Sequence, residues 1–187
     1  MRLRARPRNK ELMKERILQV AMEVFAEEGF DSPVDQICKR AGVSKGIFFW
    51  HFNTKNQLIL EIAKRSLPLD LVMNCLSEGN GEQILRCIGS KYIEKYSDSV
   101  MRMLFLRTIS VMSNYEELAA NSRELCGPLI VEISRRVFNS DSVADVVRIR
   151  SFMGGLLCYV INPPEIDKKT YLEALIKISL NRQTTTL

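Results

Sequence analysis

Histidine occurs once in this chain, at position 51, and tryptophan once, at position 50. A lone imidazole with no accompanying Ser, Cys or Asp pattern excludes a catalytic triad. The chain also lacks G-x-G-x-x-G, the P-loop, G-x-S-x-G and H-E-x-x-H, so neither a nucleotide cradle nor a hydrolytic or metal centre is written into it. Nothing calls for a cofactor, a metal or an enzymatic reaction. The five cysteines, Cys38, Cys75, Cys87, Cys126 and Cys158, are odd in number and never form a C-x-x-C pair. That spacing argues against a disulfide framework or a zinc site and for buried thiols in a reducing compartment. No apolar run approaches the roughly 20 residues that span a bilayer, and no apolar signal segment follows the start. The expectation is a cytoplasmic protein with no membrane partner. Strand-like alternation and internal repeats are missing as well, which leaves an all-α fold.

What is present is a helical core and an uneven charge. Hydrophobic residues make up 46% of the 187 and charged residues 26%, ample for one large domain or a small one joined to a larger one. Residues 1–65 hold thirteen Lys and Arg against eight Asp and Glu, and residues 66–187 hold fourteen of each. The whole net charge of +5 therefore sits in the first third. A solvated basic face is one explanation; neutralisation of nucleic-acid phosphates is the other.

The stretch PVDQICKRAGVSKGIFFWHF, residues 33–52, decides between them. Ser32 is a helix cap and Pro33 suits a first helical position. Val34, Ile37, Cys38 and Ala41 then recur at three- and four-residue steps, placing them on one face of a helix over 34–40. Gly42 falls where the chain must reverse, and Ser44 caps a second short helix over 45–50. This is the helix-turn-helix pattern, whose second helix lies in the DNA major groove.

Around it, MRLRARPRNK cannot bury an apolar face, so residues 1–9 read as a flexible basic arm. Arg2, Arg4, Arg6 and Arg8 either track the minor groove and phosphates or merely solubilise. A first helix runs from about Lys10 to Glu28, with Ile17, Ala21, Val24 and Phe25 on its inner stripe and Gly29 ending it. Thr54 and Gln57 form a capping box for a fourth helix reaching Leu67. Lys55 at its first position is unfavourable beside a positive helix terminus unless a phosphate is bound there. Pro68 ends that helix.

The motifs VFAEEGF, AGVSKGIFFWHF and the Lys of NTKNQL, in that order, resemble the N-terminal domain of the TetR family of transcriptional regulators. The likeness covers about the first third of the chain. Departures are Ile47, where the family usually has a small or hydroxyl residue, and Phe49, where it usually has Tyr and a hydroxyl for phosphate. The resemblance implies DNA contacts from Ser32, Val43, Ser44, Lys45, Gly46, Phe49, Trp50, His51 and Lys55. It also implies a helix-turn-helix DNA-binding domain over residues 1–66 and a helical effector-binding and dimerisation domain over 67–187.

The remainder reads as helices over 82–96, from Ser97 or Asp98 to 112, 116–126, 128–138, 142–161 and 167–181. Gly127 stops one and Pro128 restarts the next. The helix over 142–161 is apolar on nearly every side. Its Gly154-Gly155 pair allows close backbone approach, either inside the subunit or, with the last helix, in a homodimer interface. Met101, Phe105, Met112, Tyr115, Phe152, Met153 and Tyr159 are a Met and aromatic set that forms either plain core or an adaptable pocket for a largely apolar small-molecule effector. The combined reading is a ligand-responsive regulator, a repressor, that binds a palindromic double-stranded DNA operator as a dimer. A DNA-binding architectural protein without an effector is the alternative.

Overall fold

The computed structural model describes residues 5–181. Among them the regular structure is helical throughout, with no strand: α1 (Ala5–Glu28), α2 (Val34–Ala41), α3 (Lys45–His51), α4 (Lys55–Ser66), α5 (Leu69–Cys75), α6 (Gly81–Lys95), α7 (Ser99–Val111), α8 (Glu116–Phe138), α9 (Val143–Ile161) and α10 (Lys168–Leu180), with a 3-10 turn at Met112–Asn114. They gather into two compact units. One holds Met1–Leu67 with Ser99–Met112, the other Pro68–Asp98 with Ser113–Leu187.

In the first unit α1 packs on α2, α4 and α7, α2 on α3, and α4 on α7. Ile17, Leu18, Ala21, Val24 and Phe25 of α1 are fully buried, together with Ile37, Phe48, Phe52, Leu58 and Ile62. The side chains expected on the inner face of α1 are thus the ones found there. This helix begins at Ala5, ahead of the expected Lys10. Pro7 falls in its first turn, where no N–H is required, and the basic residues there are good helix formers. Arg2 and Arg4 of the expected arm lie outside the described residues, as do the side chains of Arg6 and Arg8. Gly29 closes α1 with φ of +101°, a conformation that only glycine adopts easily. Its N–H bonds the Phe25 carbonyl at 3.0 Å.

Two contacts tie α7 into this unit. The Thr108 and Ser66 hydroxyls lie 3.0 Å apart in a buried site, with Ser66 also donating to the Ala63 carbonyl. Arg107 donates to the carbonyl of Glu27 at 3.2 Å, at the negative end of the α1 dipole, where a cation is favoured.

In the second unit α6 packs on α5, α8, α9 and α10, and α9 on α8 and α10. Leu85, Ile88, Ile149, Phe152 and Leu156 fill its interior beside the edge-to-face pair of Tyr92 and Tyr96. Burial pushes both phenols far above their ordinary value. Asn80 and Gln83 form a reciprocal capping box at the start of α6. Ser142 and Asp167 cap α9 and α10 through their side chains.

Two expectations are corrected. Residues 116–138 form one helix, with Pro128 inside it. The missing N–H and ring of Pro128 disfavour continuity, but Leu118 before it and Ile133 and Phe138 after it are all buried, so packing holds both halves on one axis. Secondly, Cys75 and Cys87 form a disulfide, with Cα atoms 5.6 Å apart. Their spacing of 12 residues conceals a short connection that folds α5 back onto α6. Cys38 is a buried free thiol, but Cys158 is free and exposed. Of the two placements open to the apolar helix α9, its own chain does not cover it all round: Val143 is 82% exposed, and Val147, Cys158 and Ile161 are exposed on the same stripe. The two glycines divide their roles. A Cβ on Gly155 would meet Leu175 of α10 at 2.7 Å, whereas one on Gly154 would meet nothing within 4 Å.

Candidate nucleic-acid interface

The turn between α2 and α3 is set by its backbone. Gly42 has φ of +65° and its N–H bonds the Cys38 and Lys39 carbonyls, the left-handed helix ending that favours glycine. Ser44 Oγ accepts the Ile47 N–H at 3.3 Å and starts α3. A single side chain of α3, Phe48, is buried and pins the helix to the core, with Phe52 beside it. Everything else on the short helix turns outward to some degree.

The outward face is unusually apolar. Ile47 is 40% exposed, Phe49 46% and Trp50 63%. The Phe49 ring meets buried Phe48 edge to face with centroids 5.2 Å apart. Lys10 Nζ stands 4.7 Å above the Trp50 ring, a cation–π contact that holds both. Lys45 is exposed and ion-paired to Asp35 of α2 at 2.6 Å, which raises its pKa. Lys55 takes the first position of α4, behind the Thr54 cap that accepts the Gln57 N–H. It makes no ion pair among the described residues. His51 closes α3, its ring nitrogens buried without hydrogen-bond partners among the described residues. Burial, and then the charges of Lys10 and Lys14, lower its pKa, with Glu11 opposing.

Ion pairs behind this face brace it. Arg40 of α2 grips Glu27 of α1 with two bonds of 2.6 and 3.2 Å. Arg65 of α4 does the same to Glu15 of α1 at 2.6 and 3.1 Å, and Lys14 reaches Glu61 at 2.9 Å. Glu15 and Glu27 of α1 are thereby turned toward neighbouring helices.

Of the residues singled out from the sequence, Ser44, Lys45, Gly46, Phe49 and Trp50 are exposed on α3 or its cap, and Val43, His51 and Lys55 are partly exposed next to it. Ser32 differs. It is buried, donates to the Gly29 carbonyl at 2.8 Å, and leaves Pro33 as the N-cap of α2 with no side-chain cap bond. Its hydroxyl joins its own N–H on the Gly29 carbonyl, in the turn after α1, and is taken from the helix it was expected to start. Ile47 was left out of the sequence-based set, although it lies three residues before Trp50 and so shares the face that Phe48 leaves open.

The second expected cluster divides between the units. Met101, Phe105 and Met112 belong to the first, Tyr115, Phe152, Met153 and Tyr159 to the second. Phe105 and Phe152 are buried, and Tyr159 packs on Tyr171 at 4.9 Å. Two open grooves of the second unit lie elsewhere. One, of about 430 Å³, is lined by Ser90, Ile93, Glu94, Ser97, Lys168, Lys169 and Leu172. The other, of about 390 Å³, surrounds Arg86 between Glu82 and Glu173.

A short capped helix standing out from a three-helix core, joined to its predecessor by a glycine turn, defines a helix-turn-helix protein. Residues 17–62 match the family described as bacterial regulatory proteins, tetR family. The HTH-type transcriptional regulator TtgW of Pseudomonas putida is 42% identical over 60 residues, which are 31% of this chain and 45% of TtgW; the chain spans less than half of that relative. The HTH-type transcriptional regulator BetI of Escherichia coli is 30% identical over 138 residues, 67% of this chain and 70% of BetI. In fold, the chain is similar to AibR, solved in complex with isovaleryl coenzyme A and operator DNA, at a TM-score of 0.68 and 14% identity over 89% of this chain and 97% of AibR. The chain belongs to the TetR family of bacterial regulatory proteins. Among the described residues no helix is long and apolar enough to cross a membrane.

Proposed function

We propose that this protein is a transcriptional repressor that binds a palindromic operator as a homodimer and is released by a small-molecule effector. The observation that carries the reading is the exposed, internally unexplained face of α3, within the residues 1–65 whose net charge equals the +5 of the whole chain. In this reading Val43, Ser44, Lys45, Gly46, Phe49 and Trp50 meet the major groove, and His51 and Lys55 lie toward the backbone. Lys55 at the start of α4 suits a phosphate, because helix N–H groups and the ammonium then act on one anion.

The homodimer is supported by the apolar stripe of α9 and by Ile178 of α10, which is 73% exposed. Such a patch, left bare on one subunit, suits a self-complementary two-fold contact. The effector role rests on analogy with AibR, which was solved with isovaleryl coenzyme A and operator DNA.

The test is duplex binding over a salt series. Affinity should fall steeply with salt, and Lys55→Ala should flatten the logarithmic slope by about one contact's worth while α3 still selects sequence. A slope identical to that of the unaltered protein would remove Lys55 from the interface. Absence of any salt-dependent duplex binding would end the regulatory reading.

A further inference from the structure

We infer that α3 reads its half-site chiefly through thymine C5-methyl groups, with Ile47 and Phe49 as the reading side chains. The inference rests on the DNA-binding reading above and names the kind of sequence it requires.

Base edges in the major groove offer hydrogen-bonding atoms and, at thymine alone, a methyl group. The side chains of α3 are poor in the means to use the former. Apart from the terminal His51, whose ring nitrogens are buried, the outward hydrogen-bonding side chains of the helix are Lys45, paired with Asp35 at 2.6 Å, and Trp50, whose indole offers a single N–H donor and whose ring carries Lys10 at 4.7 Å. The cap hydroxyl of Ser44 accepts the Ile47 N–H and keeps one proton to donate. Ile47 and Phe49 present apolar surface to solvent instead. Phe49 is held by its edge contact with buried Phe48, so its presentation costs little further ordering on binding.

Gly46 supplies the second, independent observation. It lies between Ile47 and Phe49 on the outward arc, inside the first turn of α3. A Cβ there would meet only Ser44 Oγ, at an ordinary 3.8 Å. Nothing within the protein therefore demands glycine, while a helical glycine disfavours folding relative to alanine. The absent side chain lets the backbone approach something outside the molecule, and a close approach is what brings short apolar side chains into contact with methyl groups on the groove floor. The positive charge of this unit fixes the occupant as nucleic acid in preference to a protein partner.

The experiment uses the full-length protein. Sites are selected from a random duplex pool, and each thymine of the preferred site is replaced in turn by deoxyuridine, which deletes the methyl and nothing else. We expect about a fourfold loss of affinity at one or two thymines per half-site, the scale of one buried methyl group, at an unchanged salt slope. Ile47→Ala should equalise thymine and uracil at its own position, and Phe49→Ala at another. Both residues are surface-exposed, and the substituted DNA needs no protein variant. If the selected site is bound specifically but uracil is neutral throughout, methyl reading is wrong and DNA binding stands. If no duplex is selected, both readings fall. If uracil is neutral and the alanine variants lose only association with another protein, the apolar pair belongs to that partner and the inference is overturned.

Discussion

At the scale of single residues, His51 carries the clearest pH signature. Its ordinary value is 6.5 and its folded value is lower, first through burial and then through Lys10 and Lys14, with Glu11 opposing. The sign follows directly. As pH falls through 6.5 the unfolded chain takes up the proton before the folded one, so the unfolded state binds more protons and stability declines with falling pH. Above 6.5 this contribution is fully present; it is lost progressively below that value. Urea unfolding of the unaltered protein and of His51→Gln at pH 7.5 and 5.5 should show the larger loss on acidification in the unaltered protein. Equal losses would mean that the imidazole is as easily protonated in the fold as out of it.

Among elements, α7 is the one whose allegiance matters most. Its Thr108 hydroxyl meets Ser66 at the end of α4, and its Arg107 guanidinium meets the carbonyl end of α1. Because Ser66 gives its proton to the Ala63 carbonyl, Thr108 is the donor in the buried pair. Thr108→Val should destabilise the unit by about 1 kcal/mol, the net value of an ordinary hydrogen bond, and Arg107→Leu should act in the same direction. Neither side chain faces the candidate DNA surface, so the salt slope of binding should be unaltered while the unfolding midpoint drops. An unmoved midpoint in both variants would deny α7 a structural part. Most elements were legible in the sequence because apolar periodicity and side-chain caps are local: Ser44, Thr54, Ser142 and Asp167 all start the helices they were expected to start. What was not legible depended on distant partners. Ser32 turned back to the Gly29 carbonyl in the turn after α1, Pro128 was carried through by packing on either side, and Cys75 met Cys87 only because α5 folds back on α6. At the candidate interface the helix and its cap could be read, but the neutralising partner of Lys45 lies on another helix and had no signature of its own.

For the whole molecule, the proposed two-fold association is the property to test. Val143, Val147, Gly154, Cys158 and Ile161 form one outward stripe of α9, and Ile178 stands on the neighbouring helix. A Cβ at Gly154 has open space on its own subunit, so a large side chain there should fold normally and obstruct only a second copy. Sedimentation at micromolar concentration should give a dimer for the unaltered chain and a monomer for Gly154→Arg combined with Ile178→Glu, with helical content unchanged by circular dichroism. A double variant that still sediments as a dimer would place the two-fold contact elsewhere.

The chain leaves the first unit at Leu67 and contributes to it again from Ser99 to Met112. A reading head of this kind cannot be lifted out as one contiguous piece. Truncation after Leu67 would strip α7 from α1 and α4 and bare the surfaces around Phe25 and Ile62, so the fragment should be poorly soluble. The same holds for chimaeras: grafting residues 1–67 onto a foreign regulator pairs this head with an alien α7, and the Ser66 and Glu27 contacts are then lost unless Arg107 and Thr108 travel with it. Engineers who wish to move its DNA specificity should transplant the outward positions of α3 alone, leaving the interrupted scaffold whole.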